Sequence, residues 1–171
     1  MKHLFIVIMI AGGLFASIKD INSFEADFTQ SITDEKNKVL NYKGHVLALK
    51  PQNAVWNYTF PVKKDVYINK YNVTIVEPEI EQVIIKRIES SFSFFNMIKN
   101  AKKIADNTYQ AYYKNSKFVI VKDKGSIQSI SYLDEFENSV KITFKNQIVN
   151  KKIDTKLFTP KFSLDFDIIK N

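Results

Sequence analysis

The chain has 171 residues, of which 45% are hydrophobic, a formal net charge of +7 and no cysteine. This length suits one domain with one core, and the lack of cysteine excludes a disulfide framework and a thiolate metal site. A basic chain suggests nucleic acid or an anionic membrane as partner. However, the basic residues are lysines spread along the sequence, with Arg87 as the one arginine. We therefore expect a solvated basic surface, no nucleic-acid partner, and at most a weak attraction to anionic headgroups.

The first sixteen residues have the pattern of a secretory signal peptide. Lys2 supplies the positive charge, residues 4–15 supply the apolar stretch, and Ala16 is a small residue at the cleavage point. The alternative is a transmembrane anchor, but the apolar run is shorter than the ~20 residues that span a bilayer. Ser17 stands where a bacterial lipoprotein would carry its lipidated cysteine. The sequence thus predicts export, cleavage after residue 16, and one soluble mature domain at residues 17–171.

Alternation of apolar and polar residues dominates the mature chain and predicts β-strands. One face of the first strand carries Phe24, Ala26, Phe28, Gln30 and Ile32. Two antiparallel strands flank the loop at residues 50–53, and the second ends at Pro61, which has no N–H for a sheet. Further strands are predicted at residues 65–68, 73–76, 79–85, 109–114, 118–122, 127–133, 140–145 and 162–169. We found no repeat or linker that divides them.

The segment from residue 92 to residue 105 breaks this alternation and predicts a helix. Its apolar residues fall in one arc at 100° per residue, and they are Phe94, Met97, Ile98, Ala101, Ile104 and Ala105. Ser90 or Ser91 would cap its start. Two interpretations are open, because the helix would lie across a curved sheet. It is either an ordinary core helix or a lid whose phenylalanine and adaptable methionine repack around a variable apolar guest.

Groups that could carry catalysis are scarce in this sequence. His45 is the one imidazole of the mature chain, and its place in an alternating strand favours a structural role. A nucleophile elbow, a Gly-rich phosphate loop and an H-E-x-x-H motif are all missing. The acidic residues at 77–81 and 165–167 could mimic a carboxylate pair or a hard-metal site, but solvated turns and strand faces explain them better. We expect no enzymatic activity, no metal and no cofactor.

Several short motifs, taken in chain order, resemble one protein family. They are Phe24-x-x-x-Phe28-x-Gln30, Gly44, Lys50-Pro51 followed by Trp56 and Pro61, Glu77-Pro78 followed by Gln82-Val83, and Phe158-x-Pro160. Their order resembles the periplasmic outer-membrane lipoprotein carrier proteins, the LolA family. The resemblance implies a mainly β (α+β) fold: an unclosed antiparallel half-barrel of about 10–11 strands. A helical lid would cover a hydrophobic cavity for acyl chains.

The resemblance and the strand phases together single out candidate site residues. Those expected to contact acyl chains are Phe28, Val46, Trp56, Tyr58, Ile75, Ile84, Phe94, Met97 and Ile98. Each has the alternative role of a plain core residue. Lys50 stands where the family usually has an arginine that latches the lid. We expect Lys50 to donate to backbone carbonyls of the lid, as a looser latch, because lysine offers a point charge and no rigid fork.

The function implied by the resemblance is transport of lipoproteins through the periplasm. Exposing each CH₂ to water costs about 0.8 kcal/mol, so a lipid anchor needs a carrier to cross an aqueous space. The resemblance also implies an inner-membrane ABC transporter that loads a monomeric carrier and an outer-membrane acceptor that unloads it. The alternative is a periplasmic half-barrel sensor or regulatory module that binds a protein or lipid partner.

Overall fold

Twelve strands form a single sheet in the computed structural model, which describes residues 21–87, 93–113 and 115–170. A seven-residue helix, α1 (Phe94–Asn100), and two 3-10 turns (Pro78–Ile80 and Thr155–Phe158) accompany the sheet. The strands are β1 (Ser23–Thr33), β2 (Val39–Leu49), β3 (Asn53–Phe60), β4 (Lys64–Asn69), β5 (Asn72–Glu77), β6 (Gln82–Arg87), β7 (Lys102–Ala105), β8 (Thr108–Tyr113), β9 (Ser116–Asp123), β10 (Ser126–Leu133), β11 (Ser139–Val149) and β12 (Asp167–Lys170).

The strand order is β12-β6-β5-β4-β3-β2-β1-β11-β10-β9-β8-β7. Two antiparallel meanders, β1–β6 and β7–β11, join where β1 pairs with β11. β12 adds a parallel pair to β6 at one end, and β7 forms the other end. The prediction of an unclosed, mainly antiparallel half-barrel is confirmed, with twelve strands instead of ten or eleven.

The two faces of the sheet have separate cores, because side chains alternate between faces along each strand. The face that carries α1, which we call the inner face, holds the larger core, including Phe24, Phe28, Ile98 and Phe144. The opposite, outer face holds the smaller core. Its buried members are Val55, Tyr67, Val76, Val83 and Phe158.

The segment that follows β11 covers part of the outer face. Phe158, which is 2% exposed, is buried in the smaller core, and Asn69 Nδ2 donates to its carbonyl oxygen at 2.9 Å. Phe162 and Phe166 also pack against this core. The predicted tail strand at 162–169 is therefore shorter than expected, because these aromatic residues anchor the segment before the backbone reaches β6. β12 begins only at Asp167, whose N–H donates to Glu81 O at 2.8 Å.

The predicted helix at 92–105 is too long at its C-terminal end. Ala101 has an extended conformation (φ −64°, ψ 131°), and the next four residues form the edge strand β7 along β8. Pairing with β8 satisfies backbone groups that a longer helix would satisfy internally. Ile104, which was assigned to the apolar arc, is 54% exposed. At the other end the cap is Ser93; Phe92, Ser90 and Ser91 lie outside the described residues.

The predicted strand at 79–85 also starts later than expected. Pro78–Ile80 form a 3-10 turn, and Glu81 adopts the left-handed conformation with φ 52°. A residue in that conformation cannot continue a strand, so β6 begins at Gln82. The predicted signal peptide, residues 1–16, lies outside the described residues. The helices of the described part are too short or too polar to cross a membrane.

A charged cluster on the outer face connects β1, β2 and the end of β11. His45 Nδ1 lies 2.8 Å from Asp27 Oδ1, and His45 Nε2 lies 3.3 Å from Glu25 Oε1. The hydrogen bond from Lys151 Nζ, 2.9 Å away, holds the pKa of Glu25 below its usual value. Hydrogen bonds from Asn146 and then His45 lower the pKa of Asp27. His45 thus has cross-strand partners, as expected for a structural histidine.

We predict that Gly44→Ala destabilises the protein by about 2–3 kcal/mol. A Cβ at this position would overlap the backbone oxygen of Asn57 and lie 2.9 Å from the Phe28 ring. A side-chain rotation cannot relieve a clash with backbone. Urea unfolding would measure the free energy of unfolding, with Lys43→Ala on the adjacent exposed position as control, expected to change it by less than about 0.5 kcal/mol. Equal effects of the two substitutions would contradict this account.

We also predict that the effect of Glu25→Gln on stability depends on pH. Because the folded pKa of Glu25 is lowered, its contribution is present above the unfolded pKa and is lost as pH falls through the folded pKa. The substitution should therefore lower the urea midpoint at about pH 7 and have little effect at about pH 3. Glu35→Gln, in the exposed β1–β2 turn, is the control. A pH-independent loss at Glu25 would show that the carboxylate charge is not involved.

Candidate functional site

A cavity of about 370 Å³ lies between α1 and the inner face of the sheet. This volume is within the range of roughly 300–1,000 Å³ found for small-molecule pockets. The lining comes from both meanders and from α1, and it comprises Gln30, Trp56, Tyr58, Val66, Ile68, Phe94, Met97, Tyr113, Phe118, Ile130, Tyr132 and Ile142. Apolar and aromatic side chains dominate, so the cavity suits an apolar guest.

A narrower pocket of about 40 Å³ continues toward the β2–β3 loop. Trp56, Ile68 and Phe94 line both spaces and therefore form the boundary between them. The other residues around the narrow pocket are Phe24, Val46, Ala48, Gln52, Asn53, Ala54, Phe95 and Phe144. The two spaces together follow β3 from Tyr58 to Asn53, about 17 Å of strand.

Phe28 supports the cavity wall from behind and is only 3% exposed. Its ring centroid lies 5.0 Å from those of Trp56 and of Tyr58, and both contacts are edge-on. Edge-to-face aromatic pairs at such distances are favourable beyond the area they bury. The wall is therefore a rigid aromatic unit. Phe28 lies beside Gly44 on the neighbouring strand, where the missing side chain leaves room for the ring.

The residues that line one end of the cavity are polar but carry no charge. The Tyr58 hydroxyl donates to Gln30 Oε1 at 2.9 Å. Burial raises the pKa of Tyr58, and nearby Tyr132 and Tyr42 raise it further. Burial also raises the pKa of Tyr132, and Asp134 adds to that effect. Both phenols therefore remain neutral at physiological pH, and the hydroxyl of Tyr58 can donate a hydrogen bond.

The predicted acyl-binding residues occupy four kinds of position. Trp56, Tyr58, Phe94 and Met97 line the large cavity, and Val46 lines the narrow pocket. Phe28 and Ile98 are buried in the core behind the lining. Ile75 and Ile84 share the inner face and the register row of Trp56, two and three strands away, outside the lining of these two spaces.

Sequence reasoning missed all of the lining from the second meander. Phe118, Ile130 and Ile142 are on the inner phase of strands that were themselves predicted. The missing information was the pairing of β1 with β11, which places these strands opposite α1 and beside the first meander. The alternation of β1 predicts the correct face for Gln30, but it does not indicate a role for the amide.

The N-terminal end of α1 is attached to the β2–β3 loop. Ser93 Oγ accepts from Asn96 N at 3.2 Å and donates to Pro51 O at 3.1 Å, so one hydroxyl caps the helix and holds the loop. Phe95, Met97 and Ile98 are the buried residues of α1. Because an isolated helix of this length is unstable in water, its position depends on these contacts.

Lys50 reaches α1 in a different way from the one expected. Its Nζ donates to Asn22 Oδ1 at 2.9 Å and lies 6.0 Å from the centroid of the Phe95 ring. Among the described residues Nζ has no backbone carbonyl of α1 as a partner. The loop faces the start of α1, where a helix presents free N–H groups and its carbonyls are already bonded. The carbonyl of Pro51, and not the ammonium of Lys50, is therefore the group that bonds the helix start.

Comparison with known proteins agrees with this architecture. Residues 19–121 match the family model "Outer membrane lipoprotein carrier protein LolA". The chain is 42% identical over 171 residues to an outer-membrane lipoprotein carrier protein of Campylobacter jejuni, covering 99% of this chain and 100% of that protein. It is 31% identical over 156 residues to the protein of that name from Wolinella succinogenes, covering 91% of each.

Among solved structures, the fold is similar to a LolA-superfamily protein from Nitrosomonas europaea. The TM-score is 0.53 at 9% identity, covering 82% of this chain and 91% of that one. A likeness at this identity concerns the fold alone. The family match, which spans more than half of the chain, and the full-length relative together show that this chain belongs to the LolA family of outer membrane lipoprotein carrier proteins.

Proposed function

We propose that this protein carries lipoproteins across the periplasm, with their acyl chains in the cavity beneath α1. The observation that supports this best is an apolar cavity of about 370 Å³, covered by a short helix and lined by aromatic and aliphatic side chains. Relatives that cover nearly the whole chain are named outer-membrane lipoprotein carrier proteins. No described residue favours the alternative of a sensor module.

Loading requires α1 to move. An apolar cavity of ~150 Å³ holds one benzene ring, so a cavity of about 370 Å³ is too small for several long acyl chains. Enlargement by displacement of α1 is the simplest solution, because the sheet is held by hydrogen-bonded strands and α1 by side chains and one serine. In this proposal α1 is the lid, Phe94 and Met97 are its cargo-facing residues, and Ser93 is its attachment to the loop.

We propose the two partners that the resemblance to the family implies. An acyl chain leaves a bilayer only against the hydrophobic effect, so loading needs a source of energy, and an inner-membrane ABC transporter is the partner proposed to supply it. Transfer to an outer-membrane acceptor then releases the cargo. We propose that the mature domain, residues 17–171, acts as a monomer without enzymatic activity or cofactor. In the described part of the chain, no group of three or more acidic or histidine side chains could hold a metal ion.

The carrier function is tested by release of lipoproteins from spheroplasts into a soluble complex with the purified mature chain. We predict that Trp56→Glu and Val66→Phe each reduce release by about tenfold, which corresponds to about 1.4 kcal/mol. The first substitution introduces a charge at the boundary of the two spaces, and the second fills the cavity with a ring.

The matched control is Val39→Phe, which makes the same exchange at a position that is 49% exposed at the start of β2. It should release lipoproteins as well as the wild type. Circular dichroism would establish that all three variants are folded. Undiminished release by folded Val66→Phe would contradict binding in this cavity, and no release by the wild type in the presence of a compatible transporter would contradict the carrier function.

We further predict that Ser93→Ala loosens the lid. The change removes the helix cap and the bond to Pro51 O, and the loss of a cap costs typically about 1 kcal/mol. Amide hydrogen exchange in residues 95–100 should become about fivefold faster, and a fluorescent apolar probe should enter the cavity faster. Ser93→Thr keeps a hydroxyl and should restore slow exchange. Identical exchange in Ser93→Ala and wild type would show that α1 is held by packing alone.

A further inference from the structure

The cavity has one side chain that an apolar guest does not explain. Gln30 lies on the inner face of β1 between Phe28 and Ile32, and it is only 9% exposed. Burying an amide in an apolar environment is unfavourable unless its hydrogen bonds are made. A leucine would fill the same space without this cost. We therefore expect the amide of Gln30 to have a polar partner in the cavity.

One atom of the Gln30 amide is available for a further hydrogen bond. A glutamine amide has an accepting oxygen and an NH₂ group with two donors. Oε1 accepts from the Tyr58 hydroxyl, whereas Nε2 has no partner among the described residues. Every fully buried side-chain nitrogen or oxygen of the described part is bonded, so Nε2 is not fully buried, and the open space that Gln30 lines is the cavity. The NH₂ group is thus a free donor inside an apolar space.

Tyr58 holds this donor in place. Its ring has edge-on contacts with Phe28 at 5.0 Å and Tyr42 at 5.9 Å, and Lys64 Nζ lies 4.7 Å from its centroid. With the ring fixed and the phenol neutral, the hydroxyl directs Oε1 toward itself and turns Nε2 toward the cavity. Tyr132 supplies a second hydroxyl on the lining. It too has no hydrogen-bond partner in the described part of the chain.

We propose that Gln30 and Tyr132, with Tyr58 as positioning residue, form a subsite for the carbonyl oxygen of an ester- or amide-linked acyl chain. This inference rests on the proposed function and specifies its ligand. The lining itself has no charged side chain, so its neutral donors match a neutral carbonyl, which accepts a hydrogen bond without introducing a charge. The carbonyl would bind at the Gln30 end, and the hydrocarbon would extend past Trp56 and Phe94 into the narrow pocket. The subsite thereby sets the direction of the chain.

The test compares two lipids that differ only in this carbonyl. A 1,2-diacylglycerol and the 1,2-dialkylglycerol ether of the same chain length would compete with a fluorescent apolar probe for the purified mature chain. Wild type should bind the ester about five- to tenfold more tightly than the ether, because a site built for a hydrogen bond rejects an analogue that lacks the acceptor. Gln30→Leu should abolish this preference by raising ether affinity about five- to tenfold, because it removes the donor that the ether leaves unbonded, and it should change ester affinity by less than about twofold.

Two further variants separate the subsite from the rest of the cavity. Tyr58→Phe should reduce the ester preference, because it releases the amide from its fixed orientation. Ile142→Val, which alters the lining without a hydrogen-bonding group, should change both affinities equally and leave the preference intact. Gln30→Met serves as a second, flexible isostere. It should behave as Gln30→Leu does, and thermal unfolding would establish that both fold.

The outcomes distinguish this inference from the proposed function. Equal binding of ester and ether by wild type, or an ester preference that persists in Gln30→Leu and Gln30→Met, would overturn the subsite and leave the carrier function standing. If neither lipid displaced the probe, both would be overturned. Tighter binding of a free fatty acid than of the ester, lost in Lys64→Met and retained in Gln30→Leu, would identify a carboxylate ligand and also overturn the subsite.

Discussion

The cavity depends on the packing of Phe28 against Gly44. A Cβ at Gly44 would overlap the backbone oxygen of Asn57 and lie 2.9 Å from the Phe28 ring, which contacts Trp56 and Tyr58 edge-on. Those two residues form the wall of the cavity and position its one amide. Close-packed interiors transmit small displacements to neighbouring side chains. A displacement of Phe28 by the width of a methyl group would therefore also displace Trp56 and Tyr58. The close approach of two strands at a glycine therefore sets the shape of the cavity.

A sheet with an open cavity on one face needs its stability from elsewhere. The outer face supplies part of it through the segment after β11, where Phe158 is buried among four residues of β3–β6. The charged cluster at Glu25, Asp27 and His45 adds cross-strand contacts on the same face. With these contacts outside, the inner face can leave apolar surface uncovered for a guest. The outer core stabilises the sheet and the inner core borders the cavity, which explains why two separate cores lie on a single sheet.

Much of the fold could be predicted from the sequence, because the alternation of apolar residues has only one interpretation in long strands. The errors lie where two signals compete. Ile104 and Ala105 fit the helical arc, but they also fit an edge strand. They belong to a strand because β8 offers backbone groups with which β7 can pair. The site was half predicted for a related reason. Local alternation shows which residues of a strand face the core. The contact between the two meanders depends instead on the pairing of β1 with β11, which are more than a hundred residues apart in sequence.

A carrier must bind its cargo and then release it, and the two kinds of contact in the cavity contribute differently. Apolar burial favours loading in proportion to the area removed from water, and it opposes release by the same amount. In the proposed cycle, a hydrogen bond to Gln30 contributes little net affinity, since water can replace the carbonyl when α1 moves away and the cargo leaves. The hydrogen bond instead distinguishes between ligands. A ligand without the carbonyl would exclude water from the cavity and leave the Gln30 NH₂ group without a hydrogen-bond partner. One amide in an apolar cavity thus allows selection and orientation of the cargo without a matching penalty on its release.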